Sequence, residues 1–298
     1  MDDVLAKAEE WRDAGEDVAL ATVVATRRSA PRPLGSKLAV TRSGRLFGSV
    51  SGGCVEADVA ERCLPILDGE TPRVVTYGVP DDEAWSIGLP CGGEIDLFLE
   101  PFRGTPPIER GTSYVAVEGD DAGRRWTGDE REPTALGDGV FAESIGPPPR
   151  LVAVGAGDIA EALCALAKPL GWRTLVVDPR PGLATHERVP SADELLVAWP
   201  EEVAIDEDTA LVSLVHEERL DVPALRHAVE RGAFYVGALG SKRAQAARAE
   251  KLGELASSVH GPVGLDLGGE TPAEMALEIV AEILAALKRA GVPAPLAG

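Results

Sequence analysis

A basic stretch that leads to a cysteine is the first part of this chain that could do chemistry. Residues 18–55 contain no aspartate or glutamate, although the whole protein carries a net charge of −20. The stretch ends in the sequence GSVSGGCV, in which Cys54 follows two glycines and is predicted to open a helix. A helix start lowers the pKa of a thiol, and a local basic surface attracts anions. The basic residues are Arg27, Arg28, Arg32, Lys37, Arg42 and Arg45.

Two interpretations of this stretch remain open from the sequence. In the first, Arg28, Arg32 and Cys54 hold an anionic ligand beside a sulfur. In the second, the stretch is a pair of basic strands that acidic neighbours shield. The accessible position of Cys54 favours the first interpretation.

The other cysteines divide into one candidate site residue and two candidate core residues. Cys91 lies in LPCGG, where glycines again expose the thiol, so it is predicted to belong to the site. Cys63 is nine residues after Cys54 and faces the opposite side of the same predicted helix. Cys164 lies among leucines and is predicted to be buried. The spacing of cysteines and histidines does not support a zinc site.

A second candidate site lies in residues 151–180, which read as a strand, a GxGxxA turn, a helix and a strand. Gly155 permits the tight turn, Gly157 lets the backbone approach a phosphate, and Ala160 lets helix and strand pack closely. Asp178 follows Gly155 by 23 residues and is predicted to bond a ribose hydroxyl. An acid at this position favours a free 2′-hydroxyl over a 2′-phosphate.

One residue inside this motif does not suit a phosphate. Asp158 would repel a pyrophosphate unless it acts only as the N-cap of the helix. The sequence therefore leaves open whether a dinucleotide occupies the site.

Later segments add further candidates. His216 follows a buried strand at the ligand-binding edge of the predicted sheet. Ser241 and Lys242 form a turn and a basic helix start that could cradle an anion. Asp266 lies in a glycine-rich loop before the last helix, for which Thr271 is the predicted N-cap.

The order of predicted elements indicates an α/β protein, with a small N-terminal α/β domain followed by a C-terminal Rossmann-like parallel-sheet domain. The first domain covers residues 1–145 and includes a connecting hairpin at 105–145. The prolines of 146–150 mark the boundary to the second domain, residues 146–298. Because ligands lie beyond the carboxyl ends of parallel strands, we expect one cofactor site in the cleft between the domains. It would be lined by Cys54, Cys91, His216 and the basic stretch.

Composition limits the class of protein. Hydrophobic residues make up 45% of the chain, no apolar run is long enough for a membrane span, and the N-terminus lacks a signal-peptide pattern. A cytoplasmic location is therefore predicted. Acidic residues number 49 and only six basic residues are lysines, a balance resembling that of proteins from salt-accumulating organisms. Such a surface repels nucleic acid, which is not expected as a partner.

These segments together resemble the XdhC/CoxI family, accessory proteins of molybdenum hydroxylases such as xanthine dehydrogenase and carbon monoxide dehydrogenase. The resemblance rests on SAPRPLGSKLAV, GSVSGGCVEADV and GLPCGGEIDLFLEP, and later on PPPRLVAVGAGDIA, YVGALGSKR and GPVGLDLGGETPAEMALEIVAEIL. It implies that the chain binds molybdenum cofactor, as molybdopterin or its dinucleotide form, and protects it during sulfuration by a cysteine desulfurase. It also implies delivery of the cofactor to the apo-enzyme of a molybdenum hydroxylase, and we expect a homodimer. Family members often have histidine where this chain has Asp158.

Two other classes of function stay open. The first is an NAD(P)-dependent oxidoreductase that uses NAD or another nucleotide at the Rossmann site. Tyr114 and Tyr235 lack a lysine four residues on, so no Tyr-xxx-Lys pair supports hydride transfer. The second is an assembly factor with a vacant Rossmann fold. The sequence favours a cofactor chaperone over an enzyme.

Overall fold

The computed structural model describes residues 3–28, 30–78, 93–106 and 108–292. The chain forms two compact units, one ending at Pro147 and one beginning at Pro148. The predicted site residue Cys91 lies outside the described residues.

The N-terminal unit is built on a five-stranded antiparallel sheet with the order β3-β2-β1-β5-β4. Its strands are β1 (Val18–Arg27), β2 (Lys37–Thr41), β3 (Leu46–Gly48), β4 (Arg73–Tyr77) and β5 (Glu94–Pro101). Helix α1 (Asp3–Asp13) precedes the sheet, and α2 (Glu56–Leu67) lies between β3 and β4 in sequence.

Alternation along β1 explains why a helix covers each face of this sheet. Ala19 and Ala21 pack with Val59 and Cys63 of α2. Val18 and Leu20 face the other way and join the cluster that contains Trp11 of α1. Since neighbouring residues of a strand point to opposite faces, an apolar run of this length is buried on both sides.

Residues 111–145 form a four-stranded antiparallel sheet with the order β7-β6-β9-β8, where the sequence predicted only a hairpin. The strands are β6 (Gly111–Ala116), β7 (Arg125–Gly128), β8 (Ala135–Gly137) and β9 (Val140–Ile145). Phe141 and Val115 pack with Phe98 of β5, so this sheet shares a core with the first one.

The C-terminal unit is a Rossmann sheet. Its parallel strands are β10 (Arg150–Val154), β11 (Arg173–Val177), β12 (Glu194–Leu196), β13 (Thr209–Ser213) and β14 (Tyr235–Ala238). The spatial order β12-β11-β10-β13-β14 places the first strand of the unit in the middle of the sheet. This is the order of the dinucleotide-binding fold, in which ligands lie where the strand order reverses. The predicted fold class is confirmed.

Helices cover both faces of the parallel sheet. They are α3 (Asp158–Ala167), α4 (Glu218–Glu230), α5 (Lys242–Leu252) and α6 (Pro272–Ala290). Leu151 packs with Leu163 of α3 and Ile283 of α6, whereas Val152 packs with Leu225 of α4. Helix α6 begins as predicted: the Glu274 amide donates to Thr271 Oγ1 at 3.3 Å, and the Thr271 amide donates to Glu274 Oε2 at 2.9 Å.

None of the helices in the described part of the chain combines the length and apolar character that crossing a membrane requires.

Candidate functional site

A cavity of about 710 Å³ lies at the carboxyl edge of the parallel sheet. Its wall includes the turn after β10, the first turn of α3, part of the segment after β11 and the segment after β13. Four predicted site residues line it, namely Gly155, Gly157, Ala160 and His216. Leu183, Leu214 and Met275 add apolar surface. The cavity therefore offers an apolar wall for a flat ring beside polar groups.

The two glycines of the turn have different physical roles. Gly155 has φ +103°, and a Cβ at this position would lie 2.6 Å from Val215 Cγ1. A side chain is therefore excluded both by backbone conformation and by space. Gly157 is the N-cap of α3, no side chain caps this helix end, and a Cβ there would meet nothing within 4 Å. The first amides of α3 lack intrahelical acceptors, which suits this end for an anion.

Asp158 differs from its prediction. The N-cap of α3 is Gly157, so Asp158 is the first residue of the helix and makes no capping hydrogen bond. Its exposed side chain lines the cavity together with Glu217. Two carboxylates thus face the same space as Arg180 and Arg188, and the charge of the cavity is mixed.

Asp178 lies beneath the wall of the cavity, with no surface accessible to solvent. Its Oδ2 accepts hydrogen bonds from the Ala156 amide at 3.1 Å and from Arg180 Nη2 at 2.7 Å. Its Oδ1 accepts from the Arg180 amide at 2.9 Å and from Arg180 Nε at 2.8 Å. Burial acts to raise the pKa of Asp178, but these hydrogen bonds to the charged form outweigh it, and the pKa lies below its ordinary value. The predicted ribose contact stays a prediction, and it requires Arg180 to move.

Cys54 lies in an exposed turn whose geometry is set by Glu56. Glu56 Oε1 accepts from Ser49 Oγ at 2.7 Å, the Val50 amide at 3.1 Å and the Ser51 amide at 2.9 Å. Its Oε2 accepts from Ser51 Oγ at 2.5 Å, the Gly53 amide at 3.0 Å and the Val55 amide at 3.2 Å. The carboxylate of Glu56 therefore occupies the amides that a bound anion would otherwise use.

This arrangement corrects the predicted position of Cys54. Helix α2 starts at Glu56 with Val55 as its N-cap, so Cys54 precedes the helix, and its amide donates to Ser51 Oγ at 2.9 Å. Burial acts to raise the pKa of Glu56, but hydrogen bonds from Ser51, Ser49 and the loop amides lower it to about 2. Glu56 was not predicted as a site residue, although it is the acid at which the acid-free stretch ends.

The basic stretch is shielded for the most part, as the second interpretation of the sequence proposed. Within the part of the chain that the structure describes, at least four of its six basic residues make ion pairs with acids from outside the stretch. Arg27 pairs with Asp96 at 2.9 Å and with Glu94, Lys37 with Glu143, Arg42 with Asp17 at 3.1 Å and Asp68 at 2.7 Å, and Arg45 with Glu16. The acids are remote in sequence or just outside the stretch, which is why a count within it suggested a positive surface.

Arg28 and Arg32 are the two arginines predicted for the site. Arg28 is exposed, has φ +60°, and has no ion-pair partner within the described ranges. Arg32 is half-buried. A role for both in anion binding stays a prediction.

Three further predicted residues lie apart from the lining of the cavity. Ser241 caps α5 by accepting a hydrogen bond from the Ala244 amide at 3.3 Å, and Lys242 is the first residue of that helix. Asp266 is exposed in the loop before α6. The wall of the cavity in the C-terminal unit contains none of these side chains.

Among the residues that the structure describes, no three acidic, histidine or cysteine side chains are grouped so that they could hold a metal ion. Cys63 and Cys164 are buried, as predicted, and burial raises the pKa of their thiols to about 12 and about 11.

Each of the two units of the chain contains a segment that matches a known protein family. Residues 11–78 match the XdhC and CoxI family, and residues 151–283 match the XdhC Rossmann domain. The chain is 31% identical to the molybdenum cofactor insertion chaperone PaoD of Escherichia coli, over 94% of this chain and 86% of that protein. It is 30% identical to a Bacillus subtilis protein described as a probable subunit of xanthine dehydrogenase, over 93% of this chain and 95% of that one.

A solved structure supports the fold. A Bacillus halodurans protein described as a xanthine dehydrogenase has a TM-score of 0.74 to this chain at 23% identity, covering 97% of this chain and 96% of that one. With relatives that match along nearly its whole length and family matches in both units, this chain belongs to the XdhC and CoxI family.

Proposed function

We propose that this chain binds the molybdenum cofactor, protects it during sulfuration by a cysteine desulfurase, and delivers it to the apo-enzyme of a molybdenum hydroxylase. The observation that carries the proposal is the match to a molybdenum cofactor insertion chaperone along 94% of this chain. The Bacillus subtilis relative, with its description as part of a xanthine dehydrogenase, supports a hydroxylase of that type as the partner. We place this activity in the cytoplasm, where thiols such as Cys54 stay reduced.

The cavity of the C-terminal unit has a chemistry that suits this cargo. The cofactor carries a flat pterin ring and a phosphate. Leu183, Leu214 and Met275 supply apolar surface for a ring, and Arg180 and Arg188 supply donors for an anion. The carboxylates of Asp158 and Glu217 repel a highly charged anion, so the cavity suits a single phosphate group better than a pyrophosphate. A common site formed by Cys54, Cys91 and His216 stays a prediction.

The test is to produce the chain in cells that synthesise molybdopterin and in cells that cannot. After purification, oxidation converts bound molybdopterin into a fluorescent pterin that chromatography quantifies. We expect pterin only in the first preparation, and we expect that preparation to activate an apo-hydroxylase. Absence of pterin together with no gain in hydroxylase activity would refute the proposal. Light scattering during size-exclusion chromatography tests the proposed homodimer.

An NAD(P)-dependent oxidoreductase is the second candidate, because the cavity lies where a Rossmann fold binds dinucleotides. His216 is the exposed titratable ring that lines it. Steady oxidation of NAD(P)H with a small carbonyl substrate, abolished in His216→Gln, would favour this candidate over the chaperone.

A further inference from the structure

We propose that Arg180 and Arg188 bind a phosphate monoester in the cavity, and that Asp178 is a positioning residue for Arg180. The inference rests on the proposed function only in assuming that this cavity holds a ligand. It reverses the preference predicted from the sequence, in which Asp178 selects a free ribose hydroxyl.

Asp178 has no acceptor site left for a ligand hydroxyl. An ionised carboxylate offers about four lone-pair positions. The Ala156 amide, the Arg180 amide, Arg180 Nε and Arg180 Nη2 all donate to it, at distances between 2.7 and 3.1 Å. Since the carboxylate is also inaccessible to solvent, a hydroxyl could reach it only if Arg180 left.

The same contacts hold Arg180 in a fixed orientation. A guanidinium has five N–H donors, and Asp178 uses one on Nε and one on Nη2. The nearest further acid, Glu217, lies 3.9 Å from Nη1, which is beyond hydrogen-bond distance. The Arg180 side chain is 45% exposed and lines the cavity. Donors on Nη1 and Nη2 thus remain for a ligand, with the side chain already ordered.

A second arginine, Arg188, lies in the lining of the same cavity. Arg188 lines the cavity, is exposed, and makes no ion pair in the part of the chain that the structure describes. Asp178 neutralises much of the charge of Arg180, so Arg188 supplies the charge that a dianion needs. A phosphate monoester offers both guanidinium groups three terminal oxygens and a double negative charge, whereas a hydroxyl offers one uncharged oxygen.

Two sources of this chemistry are an adenine nucleotide with a 2′-phosphate, and molybdopterin, whose phosphate is a monoester. The first arm of the experiment measures binding of 2′-AMP and of adenosine, which differ only by that phosphate, to the full chain by calorimetry. For a nucleotide ligand, we expect 2′-AMP to bind at least tenfold more tightly than adenosine. Arg188→Gln and Arg180→Gln should reduce that ratio to within about threefold.

The second arm measures the molybdopterin that each variant retains when it is produced together with cofactor synthesis. For a pterin ligand, we expect wild type to retain it and both arginine variants to lose at least three quarters of it. Arg231→Gln is the matched control, because Arg231 is exposed, lies at the end of α4 and does not line the cavity. It changes the net charge equally and should behave as wild type.

Arg180→Gln leaves the buried Asp178 unpaired and could unfold the chain, so two safeguards are included. The double variant Asp178→Asn/Arg180→Gln removes both charges of the pair, and Arg188→Gln changes only an exposed side chain.

The outcomes separate this inference from the proposed function. If wild type retains no pterin and activates no apo-hydroxylase, but the preference for 2′-AMP depends on Arg180 and Arg188, the proposed function fails and the inference holds. If both arms are indifferent to the arginine substitutions, or if adenosine and 2′-AMP bind equally and pterin retention is unchanged, the inference is wrong.

Discussion

Replacing Glu56 by glutamine tests whether one carboxylate maintains the turn that presents Cys54. Each carboxylate oxygen of Glu56 accepts three hydrogen bonds. Glutamine keeps one of these oxygens but has an NH₂ group in place of the other, so three donors would face a donor. The pKa of Glu56 falls from 4.5 to about 2. Each unit of pKa corresponds to about 1.4 kcal/mol, so the shift sets an upper limit of about 3.5 kcal/mol on the stabilisation that the Glu56 carboxylate contributes. Because the side chain is only partly buried and water competes for the same donors, we expect a loss of about 2 kcal/mol at pH 7.

The contribution of Glu56 to the free energy of unfolding depends on pH. The pKa of Glu56 in the folded chain lies below that of an unfolded chain, so its contribution is complete above about pH 4.5. It is lost as the pH falls from 4.5 towards 2, because the unfolded chain takes up the proton first. The difference in unfolding free energy between wild type and Glu56→Gln should therefore shrink between pH 7 and pH 3.5.

The assay is urea unfolding of the full chain, followed by circular dichroism, with the transition of the N-terminal unit compared at the two pH values. Glu61→Gln is the matched control, since Glu61 lies exposed on the same helix. An exposed substitution of this kind should change the unfolding free energy by less than about 0.5 kcal/mol. Equal losses for the two variants, or a Glu56→Gln loss that is the same at pH 7 and pH 3.5, would refute the reasoning.

Three further predictions concern thiols, a buried ion pair and the basic stretch. A thiol reagent should label Cys54 in the folded chain, and peptide mass spectrometry should find the two buried cysteines labelled only after unfolding; early labelling of the buried pair would contradict the burial. Arg248→Met should lower the unfolding free energy by about 3–5 kcal/mol, since it leaves the buried Asp221, now bonded at 2.6 Å, without its partner. Adding Asp221→Asn should recover part of that loss in the same urea titration. Arg28→Gln should weaken cofactor retention more at low salt than at high salt, because ions screen the attraction of an exposed charge; a loss independent of salt would exclude a role in electrostatic attraction.

Local patterns predicted those parts of the fold that depend on neighbouring residues. The strand β10 and the GxGxxA turn that follows it are short-range signals, and they predicted the Rossmann-like parallel sheet of the C-terminal unit. The four-stranded sheet at 111–145 was predicted only as a hairpin, because β8 has three residues and β7 has four. Strands of that length are too short to show a period.

The candidate site was harder to predict, because its chemistry depends on which charges meet in space. The acid that pairs with Lys37 is 106 residues away, and Asp96 is 69 residues from Arg27, so no window of sequence shows the neutralisation. Arg180 is the opposite case. It is two residues from Asp178 in VVDPR, so the sequence itself indicated that Asp178 could pair with an arginine.

Asp178 also links two loops of the C-terminal unit through hydrogen bonds to one carboxylate. It accepts the Ala156 amide from the loop after β10 and the Arg180 amide from the loop after β11. Backbone amides in surface loops usually exchange with deuterium quickly, but these two share a single buried acceptor. They should therefore be protected together and lose protection in the same opening event. Opening of this wall of the cavity is then a concerted motion of two loops, with a free energy that hydrogen exchange at either amide would report.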